Sequence, residues 1–357
     1  MKRVLVVAGV IMLGVGVYPR QVGGQVEDIK ALMAKMLELE KATPQLQVVE
    51  EVLPLIVPGQ TIGETTGVAK NSKGHLFVYN RTGNAGPAKG AAAAKLFEFD
   101  PNLKFVKEWG PNMYGASFAH TVRVDRHDNV WVTDEGSNMV IKFNPQGNVD
   151  MVLGRKPEAV DYLEHFTEEG NVEKETPAAR NGVYNRPTDV TWDPQDNIFI
   201  ADGYNNARVA KVAKDGKWLK TYGTKGAGPG QMNTVHAITA DAKGNIYVGD
   251  RSNRRIHVLD SELNPIRMIT TAGQPWTMCV SPGPTQYLFS GDGAGKLYKS
   301  TLDGKLLGWT QLKGAAQTGC IIHELHCESA TVLYKGDCSM WKVEKITIKG
   351  GGSPTAP

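Results

Sequence analysis

The chain has 357 residues, with 40 basic against 37 acidic ones, 41% hydrophobic content and four cysteines. That length suits one large all-β domain. Near-balanced charge with no basic stripe argues against a nucleic-acid partner.

Residues 1–24 read as a secretory signal peptide. Lys2 and Arg3 supply the positive start, and residues 4–17 are apolar but too short to span a bilayer. Val22 and Gly24 occupy the small-residue positions before a cleavage point after Gly24. Without Lys2, Arg3 and Arg20 the mature chain has 37 basic and 37 acidic residues and is near neutral. No later segment is long and apolar enough to span a membrane. A periplasmic or secreted protein, with no membrane span after signal removal, is therefore expected.

Residues 25–45 hold a short helical segment. Ile29, Leu32, Met33, Met36 and Leu39 recur at helical spacing, which predicts a helix over residues 27–41 packed on the side of the domain. Its mixed charges count against a membrane-surface helix.

A repeat then begins. TGVAKNSKGHLFVYN (66–80), HTVRVDRHDNVWVTD (120–134), TDVTWDPQDNIFIAD (188–202), HAITADAKGNIYVGD (236–250), the looser TMCVSPGPTQYLFSGD (277–292) and HELHCESATVLYKGD (323–337) are six copies of one hairpin. A third β-rich run follows nearly every copy (KLFEFD, MVIKFN, RVAKVA, RIHVLD, KLYKST, WKVEKI). A fourth follows most of them (KFVKEWG, VDMVLG, WLKTYG, PIRMIT, LLGWTQ). Four strands repeated every forty to fifty residues or so mark a β-propeller blade. The sixth copy lacks a fourth strand, because the chain runs out into a flexible tail at 350–357. The run LQVVEEV (46–52) is otherwise unpaired and is expected to supply that strand and close the ring over residues 46–349. The fold class is thus all-β, a six-bladed propeller preceded by a short N-terminal helix. Its spacing resembles the NHL-repeat propellers over residues 61–348.

Two insertions, the Gly/Ala-rich 82–94 and the charged 155–184, are places where a loop could carry specificity. Cys279, Cys320, Cys327 and Cys338 all lie in the last two blades. In an exported chain an even count favours two disulfides, with three connectivities open, over a metal cluster near His323 and His326.

His120, His236 and His323 open the second, fourth and sixth copies. In a closed ring they form a triangle about the axis, and three converging imidazoles are what a catalytic zinc site needs. The alternative is that each hydrogen-bonds inside its own blade. His75, His127 and His257 fall in turns or outer strands and are expected at the surface; His165 has no assignable role. His326 is expected to point to the opposite face from His323. Arg81, Arg251 and Tyr204 follow the ends of second strands, at the same end of the ring as the three histidines. They either face that centre or pair within their blades.

The motifs PTDVTWDPQDNIFIADGYNNARV and NTVHAITADAKGNIYVGDRSNRRI resemble the peptidyl-α-hydroxyglycine α-amidating lyase family. The resemblance implies a six-bladed propeller with zinc on His120, His236 and His323, a catalytic Tyr204 in the DGY motif, and functional arginines at Arg81 and Arg251. It also implies a structural calcium held by Glu324 and the carbonyls of Val68 and Val122. The implied reaction is cleavage of a carbinolamide C–N bond in a small-molecule or peptide substrate, giving an amide and glyoxylate. The family's carboxylate at the calcium is usually Asp and is Glu324 here. The family's cysteines in the third and fourth blades are absent, and Asn185 and Asn205 stand where one pair would be. Two other readings remain: a non-catalytic propeller binding a peptide or glycan, and a different metal-dependent propeller enzyme of lactonase or streptogramin-lyase type.

Overall fold

In a computed structural model of the chain, residues 28–82, 94–156, 181–315 and 319–350 are described. The signal-peptide reading and most of both insertions lie outside those residues.

One helix, α1 (Ile29–Ala42), precedes the strands, with Asp28 as its N-cap. Leu32, Met36 and Glu40 face inward, while Ile29 and Met33 are exposed, so the buried stripe is narrower than the spacing predicts. Glu40 fixes the helix to the fifth blade: its carboxylate accepts from Lys296 Nζ at 2.7 Å and from Tyr298 OH at 2.7 Å, and its carbonyl from Trp309 Nε1 at 2.8 Å.

Strand β1 (Val48–Val52) follows. The first blade is β2 (Glu64–Lys70), β3 (Leu76–Arg81), β4 (Ala94–Phe99) and β5 (Phe105–Trp109). The second is β6 (Ala119–Val124), β7 (Val130–Asp134), β8 (Met139–Phe143) and β9 (Val149–Gly154). The third is β10 (Asp189–Trp192), β11 (Ile198–Asp202), β12 (Arg208–Val212) and β13 (Trp218–Tyr222), followed by the small pair β14 (Thr224–Lys225) and β15 (Gln231–Met232). The fourth is β16 (Val235–Ala240), β17 (Ile246–Asp250), β18 (Arg255–Leu259) and β19 (Pro265–Ile269). The fifth is β20 (Thr277–Val280), β21 (Leu288–Gly291), β22 (Lys296–Ser300) and β23 (Leu306–Gln311). The sixth is β24 (Glu324–Cys327), β25 (Val332–Asp337) and β26 (Lys342–Ile348). These form six four-stranded sheets, and the sixth is completed by β1 in the order β1-β26-β25-β24. Val48 pairs with Ile348 and Val52 with Glu344, so the N-terminal strand closes the ring as its unpaired pattern predicts.

Blades are held to one another by apolar clusters, each spanning two neighbours. Phe77, Tyr79 and Trp109 of the first blade meet Val130, Val132 and Phe143 of the second. Leu53, Val68, Val78 and Phe97 meet Tyr334 and Val343 across the closure. The second strands β7, β11 and β17 are buried at every residue because both of their faces are covered. The outer strands β13 and β19 are largely exposed. Each buried Phe or Val contributes about 1.5–3 kcal/mol, so the ring rests on its blade interfaces.

In the second, third and fourth blades the acidic residue closing the second strand has a structural task that bears on the site. Asp134 accepts from the backbone N–H of Ser117 at 2.8 Å, Phe118 at 2.9 Å and Ser137 at 2.7 Å. Asp202 accepts from Asn185 N–H at 2.8 Å, and Asp250 from Asn233 N–H at 2.6 Å. Each thus ties the segment leading into its blade's first strand to the end of the second. Those segments deliver residues to the channel mouth.

Two disulfides join Cys279 to Cys327 and Cys320 to Cys338. The first links β20 to β24, across two blades. At the position where the third-blade cysteine pair is missing, Asn205 Nδ2 donates to Asn185 Oδ1 at 2.8 Å.

Candidate functional site

His120 and His236 stand near the starts of β6 and β16, and His323 immediately precedes β24. All three are buried, and their ligating nitrogens lie within 4.8 Å of one another. Each Nδ1 is held by a backbone carbonyl of the next blade round the ring. His120 Nδ1 donates to Thr188 O at 2.6 Å, His236 Nδ1 to Trp276 O at 2.6 Å, and His323 Nδ1 to Thr66 O at 2.8 Å. A proton placed on Nδ1 leaves the Nε2 lone pair free and fixes the ring's direction, the second-shell arrangement usual for metal-ligating imidazoles. His120 Nε2 is buried without a hydrogen-bond partner. Burial lowers the affinity of all three rings for a second proton, and pushes His323 down to about 3. Three neutral imidazoles converging by Nε2 fit a divalent metal ion. The Nδ1 hydrogen bonds cross to the next blade instead of staying inside each histidine's own blade.

Tyr204, Arg251 and Arg81 all come to this centre. Tyr204 OH lies 2.9 Å from His236 Nε2, and Arg251 Nη1 lies 3.4 Å from the same hydroxyl. Burial is the main force raising the Tyr204 phenol, and Glu135 adds to it; Arg251 and Arg81 oppose it. The two arginines differ. Arg81 donates from Nε to Ala119 O at 3.0 Å, pairs with Glu64 at 3.2 Å and stacks on Phe118. Arg251 stacks on Trp276 at 4.5 Å and has no carboxylate partner among the described residues. Its charge is therefore available to an anion.

The repeat explains why a tyrosine serves the third blade. Arg81, Arg251 and Gly203 are the residues that follow Asn80, Asp250 and Asp202. A Cβ at Gly203 would lie 1.8 Å from Val235 O. No side chain fits there, and the next residue, Tyr204, is the one whose side chain reaches the histidines.

One residue in this register escapes a search for arginine and tyrosine. Glu135 follows Asp134 and is buried, with Oε2 3.9 Å from His120 Nε2. Its position after the strand-ending acid was the available signal. Trp276 also escapes, because nothing in the repeat marks the entry to a fifth first strand as part of the wall.

The calcium reading meets an obstacle. Next along the strands from the histidines, Arg123 reaches across the axis. Its Nε and Nη2 pair with both Asp189 oxygens at 2.8 and 2.7 Å, Nη2 lies 2.8 Å from Glu324 Oε1, and Nη1 donates to Leu325 O at 3.0 Å. A fixed guanidinium thus holds the carboxylate assigned to the ion, and like charges at that distance repel. Glu324 Oε2 alone lacks a partner. The residues Val68, Val122 and Glu324 do not suit a calcium ion with Arg123 in this place.

Four other histidines can be placed. His257, expected at the surface, is buried in β18, with Nε2 3.2 Å from Asp250 Oδ2 and Nδ1 3.2 Å from Tyr222 OH; the neighbouring blade covers it. His75 is half-buried against Glu98, and His127 is exposed. His326 stays away from the three-histidine centre, as its spacing predicts, and lines a cavity of about 650 Å³ at the opposite end of the first strands.

No profile of a known protein family matches the chain. It is 25% identical over 250 residues to a probable peptidyl-alpha-hydroxyglycine alpha-amidating lyase of Caenorhabditis elegans, covering 65% of this chain and 66% of that protein. It is 27% identical over 234 residues to peptidyl-glycine alpha-amidating monooxygenase B of Xenopus laevis, covering 62% of this chain and 24% of that protein. Human NHL repeat-containing protein 3 is 26% identical over 252 residues, covering 66% of this chain and 62% of its own length. The resemblance to amidating lyases and NHL-repeat proteins therefore holds over about two thirds of the chain. Among solved structures, virginiamycin B lyase from Staphylococcus aureus superposes with a TM-score of 0.55 at 13% identity, over 85% of this chain and all of that one. That likeness is one of fold.

Proposed function

We propose that this chain is an exported, zinc-dependent lyase that breaks the C–N bond of a carbinolamide such as an N-acyl-α-hydroxyglycine. The observation that carries this reading is one cluster: three neutral imidazoles converging by Nε2, a phenol 2.9 Å from one of them, and beside the phenol an arginine without an acidic partner among the described residues. The lyase-named worm relative supports it. The chain spans 66% of that protein and 24% of the frog enzyme, so activity and substrate are inferred here for this chain itself. Export is supported by the two disulfides, which persist in oxidising compartments. No described helix is long and apolar enough to cross a membrane.

A bound zinc ion would supply Lewis-acid charge, polarising the substrate hydroxyl and favouring the phenolate of Tyr204. His120, His236 and His323 would hold it. Arg251 binds the substrate carboxylate, and Arg81, already shared with Glu64, adds positive charge behind it. Tyr204 takes the proton from the substrate hydroxyl. The C–O bond becomes a carbonyl as the C–N pair leaves with nitrogen, and the proton returns from Tyr204 to that nitrogen. The products are an amide and glyoxylate, so atoms and charge balance.

The test is glyoxylate release from a small N-acyl-α-hydroxyglycine by zinc-loaded protein. No release would reject the lyase reading for that substrate. The human relative is not named as an enzyme, and a propeller that holds a ligand at its mouth without chemistry is the competing reading; it predicts no tightly bound metal.

A further inference from the structure

We propose that Glu135 is a fourth, non-ligating member of the three-histidine centre, whose carboxylate tightens the hold on a divalent cation and loosens the hold on an anion beside it. This rests on the metal-dependent reading above. Glu135 occupies in the second blade the register that Arg81 and Arg251 occupy in the first and fourth. It points into the same mouth for the same topological reason. The backbone N–H donates to Phe118 O at 3.0 Å. Oε1 accepts from Arg186 Nε at 2.6 Å and also from Nη2. Arg186 is itself fixed, its N–H donating to Asn138 Oδ1 at 2.9 Å and its guanidinium lying 4.5 Å over the Tyr204 ring. With one oxygen clamped, the other is turned toward His120 Nε2 at 3.9 Å.

That geometry separates Glu135 from the ligands. Glu135 comes near one histidine and does not join the group of three whose ligating atoms lie within 4.8 Å. It stands beside the three nitrogens and not among them. The centre needs such a charge. Three neutral imidazoles bring none, and Arg81 and Arg251 make the mouth more positive. A cation there is disfavoured by the arginines, and an anionic product is held by all of them together. A carboxylate clamped at the cation's flank offsets both effects. It also restricts that side of the pocket to a neutral or hydrogen-bond-donating group, such as the amide N–H of a carbinolamide, and disfavours a second carboxylate.

The experiment compares wild type, Glu135→Gln and Glu135→Asp. Zinc affinity is read by competition with a chromophoric chelator. Glyoxylate affinity is read from the visible bands of the cobalt-loaded protein. Glu135→Gln should keep one metal per chain, bind zinc about tenfold or more weakly, as loss of an outer-shell partner does, and bind glyoxylate several-fold more tightly. A merely structural role would not move the two affinities in opposite directions. Glu135→Asp keeps the charge, and should stay within about threefold of wild type in both readings; it also serves if the Gln variant fails to fold. Unchanged affinities in Glu135→Gln, a weakening of both, or a tenfold loss in Glu135→Asp would overturn the proposal while leaving the metal centre standing. A wild type that binds no metal would overturn both.

Discussion

The two ends of the central channel make a useful contrast. Where the first strands finish, a cavity of about 650 Å³ is lined by Lys70, Ser72, Asp241, His326 and Glu328. Its charges are already spent on one another. Lys70 pairs with Glu328 and lies 3.2 Å from Tyr334 OH, Ser72 binds Asp128 at 2.6 Å, and Asp241 accepts from Asn245 at 2.7 Å. Where the first strands start there is a ring of histidines in place of an open bowl. Yet among the described residues His120 Nε2 is buried without a partner and Arg251 lacks an acidic one. Buried polar groups are normally satisfied. A group left unsatisfied by the fold marks a ligand's place better than empty volume does.

The strongest way to break this contrast is to remove a histidine. His236→Ala should reduce bound metal from about one per chain to none, measured by elemental analysis after purification without chelator. His257→Ala should keep the metal and instead lose stability, about 1–3 kcal/mol, because it opens a gap in the buried β18 strand and removes the hydrogen-bond partner of Tyr222 OH. Equal metal loss in both variants would mean that the three-histidine end is not the site.

Next in size is Tyr204→Phe. It keeps the ring packing and removes the proton acceptor, so turnover should fall by roughly a hundredfold or more with metal content unchanged. A fully active Tyr204→Phe would remove Tyr204 from the chemistry. Arg251→Lys should also be impaired, since a carboxylate loses the planar fork.

Between the two ends lies the Arg123 layer, which sharpens the comparison through stability. Arg123→Met strands Asp189 and Glu324 without their counter-charge. It should cost about 3–5 kcal/mol, read as a lower melting temperature. A calcium-selective chelator should leave the wild-type melting curve in place, because Arg123 already supplies the positive charge. A drop on chelation would restore the axial calcium and displace this account of Arg123.

The smallest effect is expected at the opposite end. His326→Ala and Lys70→Ala should change metal content and turnover by less than about twofold, since both line the cavity at the end of the first strands away from the three histidines. A large loss of activity in either would move the site to that cavity.

Much of the fold could be read from the chain. The hairpin is a local pattern, so its six copies, their turns and their strand-ending acids are visible without any tertiary contact. The unpaired run at 46–52 is legible as the closing strand for the same reason. The candidate site is partly legible, because a ring converts a repeat position into a point in space. His120, His236 and His323 meet for that reason, and so do Tyr204, Arg81 and Arg251. His257 was misplaced because alternation along a strand does not report a neighbouring blade that covers both faces.

By itself, then, the sequence determined the propeller, the number of its blades and which repeat positions open onto its mouth, since these follow from periodicity and chain order, while Glu135 and Trp276 went unmarked. Only the tertiary structure decided which charges remain unspent. Arg186 clamps Glu135 from 51 residues away, Arg123 reaches the Leu325 carbonyl across 202 residues, and the cysteines pair as 279 with 327 and 320 with 338. All but the 320–338 pair join different blades, and no local pattern records them. Electrostatic free energy depends on separation in space, and that separation is set only when the ring closes.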